Sequence, residues 1–336
     1  MQVIYVPLEH IDKRYTVHLD RDITKYLDDN KIKYRKIYPN IPTPDALKSG
    51  SFLDAEFTIR FKMAQLSEIA RLYRNDKIQD GDVLFFSDIW FPGIESIAYM
   101  NYFSKKNVKI RGFLHAGSFT DTDFVRDMER WAKNFEDIIF DISDKIYVAS
   151  NFIKNDVIKK RYVEKDKLEV TSLPIDEEGM KAYLNYNSYD FSKKEDIVIF
   201  SGRNVDEKQP WLFDELARRL KGKAKFINTL EVGYSKEEYY KLLNKAKCVV
   251  SYALQENFGY SVQEACYLGC LPVVPNRLVY PELYPEKLLY TTFDESVALV
   301  DKILKGDINY SKFHPTMLVK QSKPIEKWFG EFKKTL

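Results

Sequence analysis

Short runs of β-branched and aromatic residues alternate with longer amphipathic stretches, and in this 336-residue chain the alternation runs its course twice. The first pass opens at Val3-Ile4-Tyr5-Val6, continues through a helical period from about Val17 to Leu27, and returns to an extended run at Tyr34 to Tyr38. A long helical pattern from about Phe57 to Tyr73 follows, then strand-like runs at Val83-Leu84-Phe85-Phe86, Val108 to Leu114 and Lys145 to Ala149. Apolar runs with no polar alternate face, separated by helices, specify parallel strands covered on both sides. Residues 177–194 are rich in Tyr, Asn, Ser and Lys, show no convincing period and read as a linker. The second pass has strands at Asp196 to Phe200, Ala224 to Ile227, Cys248 to Tyr252 and Leu271 to Val274. Its helices are Glu207 to Leu220, a stretch from Ser235 to about Ala246, and Gly259 to Leu268. Ser235 with Glu238 three residues on is a capping box.

The expected fold is therefore α/β, with two Rossmann-like domains facing across a cleft. The boundaries read as 1–176 for a first Rossmann-like domain, 177–194 for the linker and 195–314 for a second Rossmann-like domain. A last segment, 315–336, ends in an amphipathic helix carrying Ile325, Trp328, Phe329 and Phe332, able to pack back on the first domain. Such sheets bind ligands beyond the carboxyl ends of their strands, but dehydrogenases and binding proteins share the outline.

The net charge of +2 gives no global field for a nucleic-acid partner, although the basic clusters Lys159-Lys160-Arg161 and Arg218-Arg219 are available locally. Three cysteines, Cys248, Cys266 and Cys270, without a CxxC pair, fit buried thiols in a reducing compartment better than disulfides or a zinc site. The amino-terminal stretch lacks the pattern of a signal peptide, and no apolar run approaches the ~20 residues of a membrane span. The expected location is the cytoplasm.

The stretch that narrows function is Glu256-Asn257-Phe258-Gly259-Tyr260-Ser261-Val262-Gln263-Glu264, placed where a strand turns through glycine into a helix. A helix starting at Gly259 directs its unpaired N–H groups and positive dipole end toward a ligand, which suits a diphosphate without a metal. Glu264, farther along that helix, is placed to accept hydrogen bonds from ribose hydroxyls, and Glu256, in the loop ahead of it, to meet a sugar. Taken singly, each is more simply a loop acid or an ordinary helix glutamate; the pair in this setting is not.

This stretch resembles the Glu-x7-Glu signature of retaining GT-B glycosyltransferases of family 4, with Phe258-Gly259 and Glu264-Ala265 matching its flanks. Upstream, Ser201-Gly202-Arg203-Asn204-Val205-Asp206-Glu207-Lys208 resembles the family's Gly-Arg…Glu-Lys segment. The resemblance implies that Arg203 and Lys208 neutralise the donor diphosphate, and that Glu264, Phe258, Gly259, Tyr260, Gly202 and Ser201 line the donor site. Backbone groups around Ser201 to Asn204 and Thr229 to Tyr234 would read the base. His115, after Phe113-Leu114, resembles the family's histidine at the donor sugar, although a lone histidine is as often structural. The family's Gly-Gly loop after the first strand is absent, since Pro7 to Thr16 contains no glycine. The donor implied is a UDP- or GDP-sugar, with no further cofactor. Asp121-Thr122-Asp123 matches the metal-binding Asp-x-Asp of the GT-A class, but Asp20-Arg21-Asp22 matches it equally, so no metal is expected.

The resemblance implies retention of anomeric configuration, by front-face substitution in which the departing phosphate helps deprotonate the acceptor. On the acceptor side, Pro275-Asn276-Arg277-Leu278-Val279-Tyr280-Pro281-Glu282 resembles a variant found in enzymes that mannosylate queuosine in tRNA. The segments Ser87-Asp88-Ile89-Trp90-Phe91-Pro92-Gly93 and His115-Ala116-Gly117-Ser118 look like those of bacteriophage glycosyltransferases acting on modified DNA bases. Both imply a nucleic-acid base as acceptor partner, hydroxymethylpyrimidine DNA ahead of tRNA, with Asp88, Trp90, Phe91 and Ser118 as candidate contacts. Trp90 and Phe91 would stack on an extruded base if exposed, and pack into a loop core otherwise. A surface glycan, lipid or small-molecule acceptor stays open, as does a GT-B-fold sugar-nucleotide epimerase or non-catalytic binder.

Overall fold

A computed structural model describes residues 1–11, 14–41, 56–121, 123–184, 193–202, 205–229, 233–308 and 323–333. It divides into two units, Met1–Pro174 with Lys323–Leu336, and Ile175–Ser322. Each is built on a wholly parallel sheet.

In the first unit the strands are β1 (Val3–Val6), β2 (Tyr34–Lys36), β3 (Val83–Phe86), β4 (Lys109–Leu114), β5 (Lys145–Val148) and β6 (Leu168–Val170). The helices between them are α1 (Tyr15–Asp29), α2 (Thr58–Arg74), α3 (Glu95–Ser104), α4 (Glu129–Ile142) and α5 (Asn151–Lys160). The spatial order is β2-β1-β3-β4-β5-β6, so the direction of winding reverses at β1 and β3. The two-residue period of the strands sorts their side chains onto opposite faces. Ile4, Val6, Leu84, Phe86, Ile110, Leu114, Ile146 and Val148 join one core with Ile69, Leu72, Ile97, Ile139 and Val157 from the helices. On the other face Tyr5, Phe85, Phe113 and Tyr147 form an aromatic row. The C-terminal helix Pro324–Phe329 seals that row: the Trp328 ring lies 5.6 Å from both Phe85 and Phe113, and its indole N–H donates to Thr171 Oγ1 at 2.8 Å.

In the second unit the order is β11-β10-β9-β7-β8, with β7 (Glu195–Phe200), β8 (Lys225–Asn228), β9 (Ala246–Val250), β10 (Leu271–Pro275) and β11 (Leu289–Tyr290). Its helices are α6 (Glu177–Leu184), α7 (Pro210–Arg219), α8 (Lys236–Lys245), α9 (Tyr260–Tyr267), α10 (Tyr280–Leu283) and α11 (Phe293–Lys305). The capping box at Ser235 and Glu238 is formed as the sequence specifies, and Thr292 with Glu295 makes a second at α11.

The linker expectation for 177–194 is corrected in its first half. Glu177–Leu184 is helical and buries Met180, because that stretch holds good helix formers with Met180, Tyr183 and Leu184 on one face. The polar composition that suggested a linker belongs to residues 185–192, which lie outside the described residues, as does 315–322 of the last segment. Among the described residues no helix is long and apolar enough to cross a membrane.

One buried charge pair ties the first unit's loops. Arg161 Nε donates to Glu136 Oε2 at 2.6 Å, and Trp90 Nε1 and the Ser118 amide both donate to Glu136 Oε1, at 3.1 and 2.6 Å. Removing one member leaves an uncompensated buried charge, whereas apolar replacement of both is tolerated far better. Glu136→Ala is expected to cost about 3–5 kcal/mol in urea unfolding, with Glu136→Met/Arg161→Met recovering much of it; equal losses in the two variants would show the pair is not the tie described.

Candidate active site

The chain after β9 must turn sharply into α9, and Gly259 makes the turn with φ of +77°, a conformation that costs glycine nothing. A Cβ there would meet Glu256 Cγ and Tyr280 Cε1 at an ordinary 3.6 Å, so backbone conformation, not space, demands the glycine. Glu256 braces the turn. Its Oε1 accepts from the amides of Gly259 at 2.8 Å, Asn257 at 3.2 Å and Phe258 at 3.4 Å. Its Oε2 accepts from Lys208 Nζ at 3.2 Å, and the same ammonium donates to the Gln255 carbonyl at 2.5 Å. Burial pushes the Glu256 carboxyl up, but the Lys208 charge and these amides outweigh it and hold the carboxyl below its ordinary value. Glu256 is thus an anion at neutral pH, locked in place.

The structure brings Lys208 and Glu256 together at the mouth of α9, but it spends the Gly259 amide on Glu256. An anion arriving at this end would meet the next amides of the helix, at Ser261 and Val262 in its first turn, together with Lys208. Ser201, at the end of β7, is stitched to the same place: its carbonyl accepts from Ser261 Oγ at 3.1 Å, and its hydroxyl pairs with Tyr239 at 2.9 Å. Gly202 follows, close enough that a Cβ would lie 3.8 Å from Lys208 Cγ. The Phe258 ring is buried edge-on against Tyr260 at 4.6 Å, a packing role. Arg203 and Asn204, and residues 230–232 of the expected base-reading segment, lie outside the described residues.

One turn into α9, Glu264 is buried and its Oε1 accepts from the Tyr240 hydroxyl at 3.1 Å, with Lys236 Nζ at 3.5 Å. Burial raises its carboxyl above the ordinary value, with Lys236 and Tyr240 opposing and Asp176 assisting the rise. Sequence reasoning missed these partners. Lys236 and Tyr240 are four apart on α8, a spacing that carries meaning only once α8 is known to pack on α9.

In the first unit the candidates gather at the carboxyl ends of β3 and β4, beside the reversal in winding. His115 Nε2 faces the Ser87 carbonyl at 2.9 Å, and burial lowers its imidazole to about 4. It is neutral at pH 7, and since a carbonyl only accepts, Nε2 carries the hydrogen. Asp88 is buried, takes the Trp90 amide on Oδ1 at 3.1 Å, and is pushed up to about 7 by burial, with Lys62 opposing. Lys62 is itself buried, 3.9 Å from the equally buried Glu9; neither was found from sequence.

Two expectations are corrected here. Trp90 and Phe91 are core residues, 3% and 2% exposed, so neither offers a stacking face. Ser118 is fully buried, its hydroxyl spent between Glu136 Oε2 at 3.0 Å and Arg161 Nη2 at 2.8 Å. The reason is the Glu136–Arg161 pair, which draws the loop inward around itself.

Comparison with known proteins bears on the arrangement. No family model matches the chain. The apo form of the lipopolysaccharide outer core galactosyltransferase WaaB superposes with a TM-score of 0.63 at 14% identity, covering 99% of both chains. Sucrose-phosphate synthase from Thermosynechococcus elongatus gives 0.62 at 13% identity over 99% of this chain and 96% of that one. Anabaena HepE, solved with UDP and glucose, gives 0.59 at 14% identity over the whole of both chains. The fold is GT-B. In sequence, the tRNA-queuosine alpha-mannosyltransferase of Drosophila melanogaster is 40% identical over 106 residues, 32% of this chain. That stretch is 26% of the relative, so the likeness spans about a quarter of its length.

The Asp88 environment predicts a signature in stability. An acid whose folded pKa lies above its unfolded value binds more protons when folded, so stability falls as pH rises from near 3.8 to about 7. Asp88→Asn escapes this loss; its melting temperature should exceed the wild type's at about pH 8 and the gain should fade toward about pH 4. A gain independent of pH would contradict the assignment.

Proposed function

We propose that this GT-B chain is a glycosyltransferase whose second unit binds a nucleotide-sugar, and that the acceptor is a hydroxyl on a modified nucleic-acid base. The observation that carries the donor half is the convergence of Lys208, the Glu256-braced turn and the first turn of α9, with Glu264 one turn on. That end suits a diphosphate, and a buried carboxylate beyond it suits the hydroxyls of a ribose. Structures of GT-B relatives holding UDP support a UDP-sugar as the first donor to try. The acceptor half rests on the partial identity to an enzyme named for transfer to queuosine in tRNA. tRNA is therefore the first acceptor and hydroxymethylpyrimidine DNA the next, with Asp88 and His115 as acceptor- and sugar-side groups of the first unit.

In this reading the acceptor oxygen bonds to the anomeric carbon as the bond from that carbon to the β-phosphate oxygen breaks. The acceptor's proton passes to the leaving diphosphate on the same face, and configuration is retained. Lys208 and the α9 amides stabilise charge growing on the phosphate. Glu256, an anion held by three amides, stabilises positive charge growing at the sugar.

A second reading, transfer to a glycan, is favoured by the full-length likeness to WaaB, whose name places it on lipopolysaccharide. The test is product analysis: UDP- and GDP-sugars incubated with total tRNA, hydroxymethylated DNA and glycan acceptors, read by nucleoside diphosphate release and mass spectrometry. Sugar should appear on a nucleoside, and Glu256→Gln should cut turnover about 100-fold or more while nucleotide affinity changes little. Transfer to glycan alone would overturn the acceptor, and no transfer to any acceptor would overturn the reaction.

A further inference from the structure

We propose that Tyr240 is a positioning residue for the donor ribose, its single hydroxyl proton shared between Asp176 and Glu264 so that Glu264 is presented as an acceptor. This rests on the reading of Glu264 as the ribose ligand.

Tyr240 is completely buried on α8. Its hydroxyl oxygen lies 3.1 Å from Asp176 Oδ2 and 3.1 Å from Glu264 Oε1, and 2.8 Å from Lys236 Nζ. An ammonium has no lone pair, so Lys236 donates to the phenol oxygen, and the phenol's one hydrogen serves one carboxylate at a time. When it points to Asp176, Glu264 Oε1 keeps only the longer Lys236 contact and is open to a ribose hydroxyl. When it points to Glu264, that oxygen has one lone-pair site fewer for the ribose.

Asp176 is built for the exchange. Its Oδ1 takes the Gly179 amide at 3.0 Å, which leaves Oδ2 aimed at the tyrosine. A Cβ at position 179 would sit 2.5 Å from Oδ2, so only glycine leaves the carboxylate there. Two carboxylates and one ammonium around a buried phenol carry an excess negative charge, which favours proton retention by the cluster.

The charged and titratable groups facing Glu264 are Lys236, Tyr239 and Tyr240 from α8 and Asp176 ahead of α6. The thiols nearby, Cys266 on α9 itself and Cys270 before β10, are raised by burial and neutral. Asp176 and Tyr240 act on Glu264 in opposite senses: the Asp176 charge favours its protonated form, and the Tyr240 hydrogen bond favours its ionised form. Ribose binding by an ionised Glu264 then weakens as pH falls, and the two neighbours set where.

The experiment is calorimetric titration of the full chain with UDP between about pH 5 and pH 8, with each variant expressed as a ratio to wild type so that titration of the diphosphate cancels. Asp176→Asn should move the acid limb of binding to lower pH. Tyr240→Phe should move it to higher pH and weaken affinity about 5- to 10-fold at neutral pH, with turnover at saturating donor nearly unchanged. Opposite displacements are a result that loss of packing does not give. Both variants following the wild-type profile would overturn the proposal, as would both moving in one direction; if Tyr240→Phe fails to fold, the Asp176→Asn limb decides alone. Glu264→Gln separates the two levels. UDP binding unchanged in Glu264→Gln refutes the ribose reading itself, whereas weakened binding there, with unshifted limbs in the other two, refutes only the tyrosine bridge.

Discussion

The carboxylate of Glu256 is the tie on which the loops around the start of α9 depend. Three backbone amides converge on one of its oxygens and Lys208 on the other, so a single side chain fixes the loop after β9, the left-handed turn at Gly259 and the short turn after β7. Its ionised state follows from the same bonds. Without it, three amides and an ammonium would lack their common partner, and α9 would have no fixed starting point. The direction in which α9 presents its first turn is therefore a consequence of one residue's electrostatics as much as of the sheet.

The first unit solves a comparable problem differently. Its loops at the carboxyl ends of β3 and β4 are drawn inward around Glu136 and Arg161, and burial shifts two titratable groups at that edge: an imidazole lowered to about 4 and an aspartate raised to about 7. At physiological pH the imidazole is neutral, while the aspartate, with its value near 7, exchanges between its neutral and ionised forms. The second unit thus holds a fixed ion pair at the start of α9, and the first a neutral imidazole beside an aspartate that titrates near neutrality.

The sequence was most informative where a signal is local. Strand and helix alternation forecast both parallel sheets, Ser235 and Glu238 forecast a cap that forms, and the glycine between Glu256 and Glu264 forecast a sharp entry into a helix. It was least informative where the partner is distant along the chain. Glu136 and Arg161 are 25 residues apart, and nothing local in either marks a buried pair, so the sequence left Trp90 open between stacking and packing and offered Ser118 as a contact. Asp176 and Tyr240 are 64 residues apart, and their meeting depends on α6 and α8 packing together. The helix Glu177–Leu184 was hidden by the polar composition of the residues after it, because averaging over a window erases an eight-residue signal.

The most direct test of a nucleotide site at α9 is thermal melting of the full chain with UDP, GDP and ADP. A ligand that binds only the folded state raises the melting temperature, by about 2.7 kcal/mol of stabilisation at a hundredfold excess over its dissociation constant. One nucleotide should raise it selectively, and Glu264→Ala should abolish the rise. No shift with any of the three, or a shift that survives Glu264→Ala undiminished, would contradict a donor site built on this helix.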